Sequence, residues 1–243
     1  MIILGIDTAT ATASAALVEN GRLVAEETGA DLPASQNGAR VPRSNHAEIL
    51  LPLIDRLLER AGVRLTDVSA FAVAIGPGSF TGLRIGLSTV KGLAFGSETP
   101  VVGVSTLAAV AARVNDSEGF ICPFLDARKK EVYAALFCRK GEALERVSDD
   151  VVAAPEDVVE SVRLRLNGES CLFIGDGTKS YADMIKEKLG ERGVLSPGDG
   201  YRSTASAVAR LAEEKIHRQE IDPVGPLVPL YVRPSEAEMK RKS

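Results

Sequence analysis
The chain has 243 residues, 45% of them apolar, and 29 Lys and Arg against 33 Asp and Glu give a net charge of −4. That length and apolar content suit one large domain or two small lobes, and the acidic balance excludes a global field that would draw in nucleic acid. No run of about 18 apolar residues or charged leader segment is present, and Cys122, Cys138 and Cys171 stand far apart in apolar runs, so the expectation is a cytoplasmic protein with reduced core thiols and no membrane contact.

Ile2 to Asp7 reads as a strand, Thr8-Ala9-Thr10 as a turn, and Thr12 to Glu19 as a returning strand. Asn20-Gly21 is the strongest short hairpin signal, because both residues tolerate the positive φ of a tight hairpin turn, and Arg22 to Thr28 forms a third strand. Asp31 to Asn45, with Pro33 and Pro42, reads as a loop. His46 to Ala61 is an amphipathic helix with Ile49, Leu50, Leu53, Ile54, Leu57 and Leu58 on its apolar side, ended by Gly62. His46 itself reads as a solvated first-turn residue.

Ala70 to Ile75 is a wholly apolar run, the pattern of a strand buried on both faces. Gly76-Pro77-Gly78 breaks it, Phe80 to Gly96 is an apolar helix, and Ser79 can cap that helix at its start. Gly82, Gly86 and Gly92 lie inside the helix, each at a cost of about 1 kcal/mol relative to Ala. A helix that keeps them needs a compensating contact. Gly82, Gly86, Thr89 and Gly96 leave one face almost bare, and the spacing alone allows two neighbours there: this chain's own core, or a helix of another subunit. Val101 to Val104 is a short strand and Thr106 to Val114 a helix.

The pattern then restarts. Phe120 to Asp126 is a strand ending in aspartate, Glu131 to Arg139 the next strand, Lys140-Gly141 a turn and Ala143 to Ser148 a third strand. Pro155 to Leu166 is a helix, Cys171 to Ile174 a buried strand, Gly175-Asp176-Gly177 a turn, Thr178 to Leu189 a helix and Thr204 to Arg218 the last helix. Asp7 and Asp126, like Gly21 and Gly141, are about 120 residues apart, and a repeat on that scale predicts two similar lobes. The expected division is 1–105, 106–221 and an extended, proline-rich tail at 222–243 that docks on a lobe.

Common catalytic motifs are incomplete. Gly76-Pro77-Gly78 misses G-x-G-x-x-G because Thr81 stands where the third glycine belongs, and it lacks the Gly-Lys-Ser/Thr of a P-loop. Ser79 is not in a G-x-S-x-G elbow, since position 77 is proline. With only His46 and His217, and no Cys pair, no metal-ligand spacing exists. Lys129-Lys130-Glu131 beside Arg128 reads as a solvated turn with a possible touch on phosphate.

A duplicated lobe whose first hairpin is preceded by Asp-Thr-Ala-Thr resembles the actin, sugar-kinase and chaperone ATPase superfamily. The resemblance implies a two-lobed α/β fold of the actin-like, ribonuclease H-like kind with duplicated βββαβα lobes. It matches Asp7, Thr8 and Thr10 to the first phosphate turn, Asp126, Ala127 and Arg128 to the second, and Gly175, Asp176 and Gly177 to the nucleoside. A degenerate or weak nucleotide site is expected, with no firmly bound cofactor and ATP or ADP at a lobe cleft or subunit joint. The alternative is that Asp7 and Asp126 only cap tight turns.

Several blocks are more specific: IDTAT at Ile6, NHAEILLPLI at Asn45, GPGSFTGLRIGLSTVKGLA at Gly76, GVSTLAA at Gly103, LDARKKEVYAALF at Leu125 and PLYVRPSEA at Pro229. Together they resemble the TsaB (YeaZ) family. That resemblance implies a part in making threonylcarbamoyladenosine in tRNA, next to the anticodon, as a non-catalytic scaffold in a heterodimer with the catalytic paralogue TsaD. The ATPase TsaE is the implied third member, whether the chain alone forms a homodimer is left open by the sequence, and tRNA is met only through the complex. TsaD's metal-binding H-x-x-x-H helix is matched by Thr106 and Val110, neither able to hold a transition metal. The family's dimer contact uses the first two helices. It implies an interface of His46, Leu50, Leu53, Gly82, Ile85, Gly86 and Thr89, and that Gly86→Leu weakens partner binding while the monomer still folds. The rivals are a glycoprotease-like peptidase and a stand-alone kinase-like enzyme.

Overall fold
The computed structural model describes residues 1–29, 46–97, 99–114, 117–198, 203–221 and 223–233. The expected loop of Asp31 to Asn45 and the terminal residues from Pro234 lie outside them. The elements in chain order are β1 (Ile2–Asp7), β2 (Ser14–Glu19), β3 (Arg22–Thr28), α1 (His46–Ala61), β4 (Ala70–Gly76), α2 (Phe80–Ala94), β5 (Val101–Ser105) and α3 (Thr106–Ala112). The second half holds β6 (Gly119–Asp126), β7 (Val132–Ala134), β8 (Phe137–Lys140), β9 (Ala143–Arg146), β10 (Val151–Ala153), α4 (Pro155–Arg165), β11 (Cys171–Ile174), α5 (Gly177–Leu189), β12 (Gly193–Leu195) and α6 (Ala205–His217).

The chain divides into two compact units, Met1–Ala109 with Arg202–Leu230, and Val110–Tyr201 with Tyr231–Ser243. In the first, the sheet order is β3-β2-β1-β4-β5. The hairpin partners are antiparallel, whereas β4 runs parallel to both β1 and β5. Asn20 and Gly21 take φ of 48° and 76°, the conformation that tight hairpin turns demand. Leu50, Leu53 and Leu57 of α1 and Leu87 and Val90 of α2 close over Leu4, Leu17, Phe71 and Val73 of the sheet.

The opposite face of this sheet is covered by α6, which the repeat in the sequence places in the second lobe. Alanines make the difference. Ala205 and Ala209 approach Gly5 of β1 so closely that a Cβ there would meet both. The tail is divided as well. Leu227 enters the first core and the Leu230 N–H donates to the Ile75 carbonyl at 2.7 Å. Arg233 instead belongs with the second unit, donating to the Ala127 carbonyl at 3.1 Å and pairing with Glu131.

The second unit repeats the order with a modification. β6 is its first strand, β11 runs parallel to it and β12 parallel to β11. The expected strand Glu131 to Arg139 is broken at Ala135-Leu136 into β7 and β8. Both pair antiparallel with β6, but β7 goes on to β10 and β8 to β9. Lys140 pairs with Ala143, so the hairpin turn is Gly141-Glu142, one residue later than the sequence suggests. The core is Phe124, Phe173 and Ile185 under Val159 and Val162 of α4 and Leu166 just past its end.

Candidate functional site
The two turns that resemble phosphate loops are built alike. At the end of β1, Asp7 Oδ1 accepts the Ala9 N–H at 2.6 Å. At the end of β6, Asp126 Oδ1 accepts the Arg128 N–H at 2.8 Å. In both, a short carboxylate closes the turn by standing in for a backbone carbonyl. Each turn lies against the glycine loop that ends the parallel strand beside it. Gly76 and Gly175 take φ of 126° and 138°, a region L side chains rarely enter. A Cβ on Gly78 would strike the Ala9 carbonyl, and one on Gly175 or Gly177 the Phe124 carbonyl. Gly76-Pro77-Gly78 and Gly175-Asp176-Gly177 are thus equivalent places, an equivalence the sequence offset hides.

Their surroundings differ. Asp7 and Thr8 are fully buried. Asp7 Oδ2 accepts the hydroxyls of Thr10 and Thr204, the latter from just before α6. Burial pushes the Asp7 carboxyl up. Its hydrogen bonds with Thr204, Ala9 and Thr10 and the His46 imidazole pull the other way without cancelling it. Thr8 Oγ1 donates to the Gly82 carbonyl at 2.7 Å, and the Ser79 N–H donates to the Ala9 carbonyl at 2.8 Å. The first turn is therefore sealed beneath the start of α2, and its carboxylate offers nothing to a ligand from solvent.

The second turn is open. Asp126 N donates to Asp176 Oδ1 at 2.8 Å, and Thr178 Oγ1 donates to the Gly175 carbonyl at 2.6 Å, which gathers Asp126, Arg128, Gly175, Asp176 and Gly177 in one place. Arg128, Lys129 and Lys130 all take positive φ, at 63°, 54° and 60°, and all three are exposed. Left-handed backbone at a non-glycine residue costs about 1–3 kcal/mol and persists only where neighbours enforce it. Here the Ala127 N–H to Glu131 carbonyl bond, the return bond from the Glu131 N–H to the Arg128 carbonyl, and Arg233 brace the turn. Nothing local in the sequence ties Thr204 and Arg233, the two bracing residues, to the turns they hold, since each lies about 100 residues or more away.

The expected interface residues need correction. Leu50 and Leu53 are 1% and 0% exposed because they form the core beneath α1. His46 is buried as well, not solvated. Gly82 and Gly86 face this chain. A Cβ on Gly82 would collide with the Thr8 carbonyl, and one on Gly86 with Thr8 Oγ1. The bare glycine face is filled by the Asp7 turn, so the compensating contact is internal. Ile85 and Thr89 are half-buried, and the open glycine of α2 is Gly92, whose Cβ position meets nothing within 4 Å. Ser79 does cap α2, its hydroxyl accepting the Gly82 N–H at 3.2 Å.

The buried carboxyl makes stability depend on pH. Because the Asp7 pKa is raised on folding, its contribution to stability is fully present below the unfolded value near 4 and is lost as pH rises through the folded value. Asp7→Asn should remove that slope. In urea titrations from about pH 4 upward, the stability of wild type relative to Asp7→Asn is expected to decline as pH rises.

A five-stranded mixed sheet of order 3-2-1-4-5 with its helices, repeated in the second half, defines the duplicated fold of the actin-like ATPases. The ROK hexokinase of Thermus thermophilus shares that fold, at a TM-score of 0.51 and 13% identity over 88% of this chain and all of that one. Residues 35–240 match the family model described as TsaD: tRNA N6-adenosine threonylcarbamoyltransferase. The tRNA threonylcarbamoyladenosine biosynthesis protein TsaB of Bacillus subtilis is 33% identical over 99% of this chain and 97% of its own length. The solved structure of YeaZ from Pseudomonas aeruginosa superposes with a TM-score of 0.77, at 30% identity over 95% of this chain and 99% of that one. The chain belongs to this threonylcarbamoyltransferase family and, within it, to the TsaB proteins of tRNA threonylcarbamoyladenosine biosynthesis.

Proposed function
We propose that the chain is a non-catalytic platform subunit, paired with the catalytic TsaD paralogue and served by the ATPase TsaE. The observation that carries this reading is at α3. The family resemblance matches Thr106 and Val110 to the paralogue's metal-binding histidines; here both are fully buried, and neither side chain is a transition-metal ligand. Among the described residues no three His, Cys, Asp or Glu side chains are grouped to hold a metal ion. The sealed Asp7 turn supports the same reading, since a buried, fully bonded carboxylate cannot orient a nucleotide's phosphates or its metal ion. ATP or ADP, in this reading, is held at the joint with TsaD, and tRNA is met through the complex.

The surface offered to TsaD is the outward side of α1 and α2. On α1, Glu48, Leu51, Pro52 and Asp55 share one exposed face, and Leu51 is 55% exposed. On α2, Arg84, Ser88 and Gly92 do the same, with Gly92 leaving room for a partner's close approach. Self-association of the isolated chain uses this same face. Covering a half-exposed leucine contributes about 1 kcal/mol, and a buried carboxylate in its place adds a desolvation cost. Leu51→Glu should therefore weaken TsaD binding about tenfold or more in calorimetric titration, with the melting temperature unchanged. Co-purification from the source cell tests the reading as a whole: TsaD retained on the chain is expected, and its absence from the retained proteins would refute the pairing.

A further inference from the structure
The break at Ala135-Leu136 has a consequence in the second unit. β10 pairs with β7 while β9 pairs with β8, so the sheet forks. The fork is held by backbone bonds. The Leu136 carbonyl accepts the N–H groups of Val147 and Ser148 at 2.8 and 3.1 Å, and the Leu136 N–H donates to Ser148 Oγ at 2.9 Å. Between the fork and α4 lies a cavity of about 340 Å³. That volume falls within the range of about 300–1,000 Å³ typical of small-molecule sites.

Its floor is apolar. Cys122, Ala134, Leu136, Val158 and Val162 line it, each no more than 6% exposed. Burial pushes the Cys122 thiol up, so the sulfur stays a neutral wall atom. The rim is acidic, with Asp149 and Asp157 at the mouth. Arg165 is the one base there, and it is turned back onto its own helix, donating to the Ser161 carbonyl at 2.8 Å and to the Ser161 hydroxyl. Among the described residues neither rim carboxylate has an ion-pair partner.

We propose that this cavity binds a small amphipathic cation, a primary amine on a short apolar body. The apolar end fills the fork, and the ammonium sits at the mouth between Asp149 and Asp157. An anion of the same shape would face two carboxylates, and a neutral analogue would keep only the apolar term.

The test uses the full chain with n-hexylamine, n-hexanol and hexanoate, read by NMR shifts of the Leu136, Val158 and Val162 methyls. Hexylamine should move these methyls with a half-saturation about tenfold or more below that of hexanol, and hexanoate should bind more weakly than either. The pair Asp149→Asn, Asp157→Asn should bring hexylamine to the hexanol value. Ser161→Trp, an exposed rim position on α4, should block all three probes without lowering the melting temperature. Methyls unmoved by about 10 mM hexylamine would overturn the proposal, as would hexanoate binding as tightly as the amine, or amine affinity unchanged in the asparagine pair.

Discussion
Gly82→Ala is expected to lower the melting temperature by about 5–10 °C, and Gly86→Leu by more. Helix propensity argues the other way, since alanine in place of an interior glycine gains about 1 kcal/mol. Space decides the sign. The new Cβ at Gly82 has the Thr8 backbone carbonyl in its way, and that carbonyl cannot step aside because the Asp7 turn is fixed to Ala9, Thr10 and Thr204. Overpacking of about 1–3 kcal/mol or more is added to the hydrogen bond from Thr8 Oγ1 to the Gly82 carbonyl that the displacement would break. Gly92→Ala on the same helix is the control. Nothing lies within 4 Å of its Cβ position, so only the propensity gain remains and the melting temperature should rise by about 2–4 °C. Thermal unfolding of the three variants checks the pair of signs. Equal shifts at Gly82 and Gly92 would mean that the Thr8 contact does not constrain α2.

Asp7→Ala carries the second large effect. The two aspartates make the same bond, to the N–H two residues on, but Asp7 is fully buried and Asp126 is exposed. Removing Asp7 strands the Ala9 N–H away from water and leaves the Thr204 hydroxyl to find another acceptor. A buried donor left unmatched costs about 1–3 kcal/mol, so the total should reach about 3 kcal/mol, or roughly 6–12 °C in melting temperature. At Asp126 water can replace the carboxylate, and Asp126→Ala should cost about 1 kcal/mol or less. Comparable losses from both substitutions would show that burial is not what separates the two turns.

Much of the fold was legible because alternation of apolar strands and amphipathic helices is a local property. α1 and β11 fall on their expected residues, and Asn20-Gly21 turns as its chemistry requires. The illegible parts depend on contacts distant in sequence. The alanines of α6 make a helix anywhere; only Gly5, about 200 residues earlier, gives that helix its place on the first sheet. The glycines of α2 have the same spacing whether they meet a partner or the chain itself, and the Thr8 carbonyl decided between the two. The break at Ala135-Leu136 leaves no mark in an apolar run that reads as one strand. The two glycine loops sit about 100 residues apart while the aspartates sit about 120 apart, so a search at one period pairs the aspartates and misses the loops. Asp7 lies with Thr10 in the first turn, and Asp126, Arg128 and the Gly175 loop lie together in the second. Burial, which closes the first turn and leaves the second open, was visible only in the structure.

Reconstitution tests the central claim most directly. Purified TsaD and TsaE, unmodified tRNA, ATP and a threonylcarbamoyl donor are combined with and without this chain, and the modified nucleoside is measured by mass. The platform reading predicts no product from the chain alone, little from TsaD and TsaE without it, and full modification only when all three are present. Threonylcarbamoyl transfer by the chain alone, or undiminished modification when the chain is left out, would contradict it.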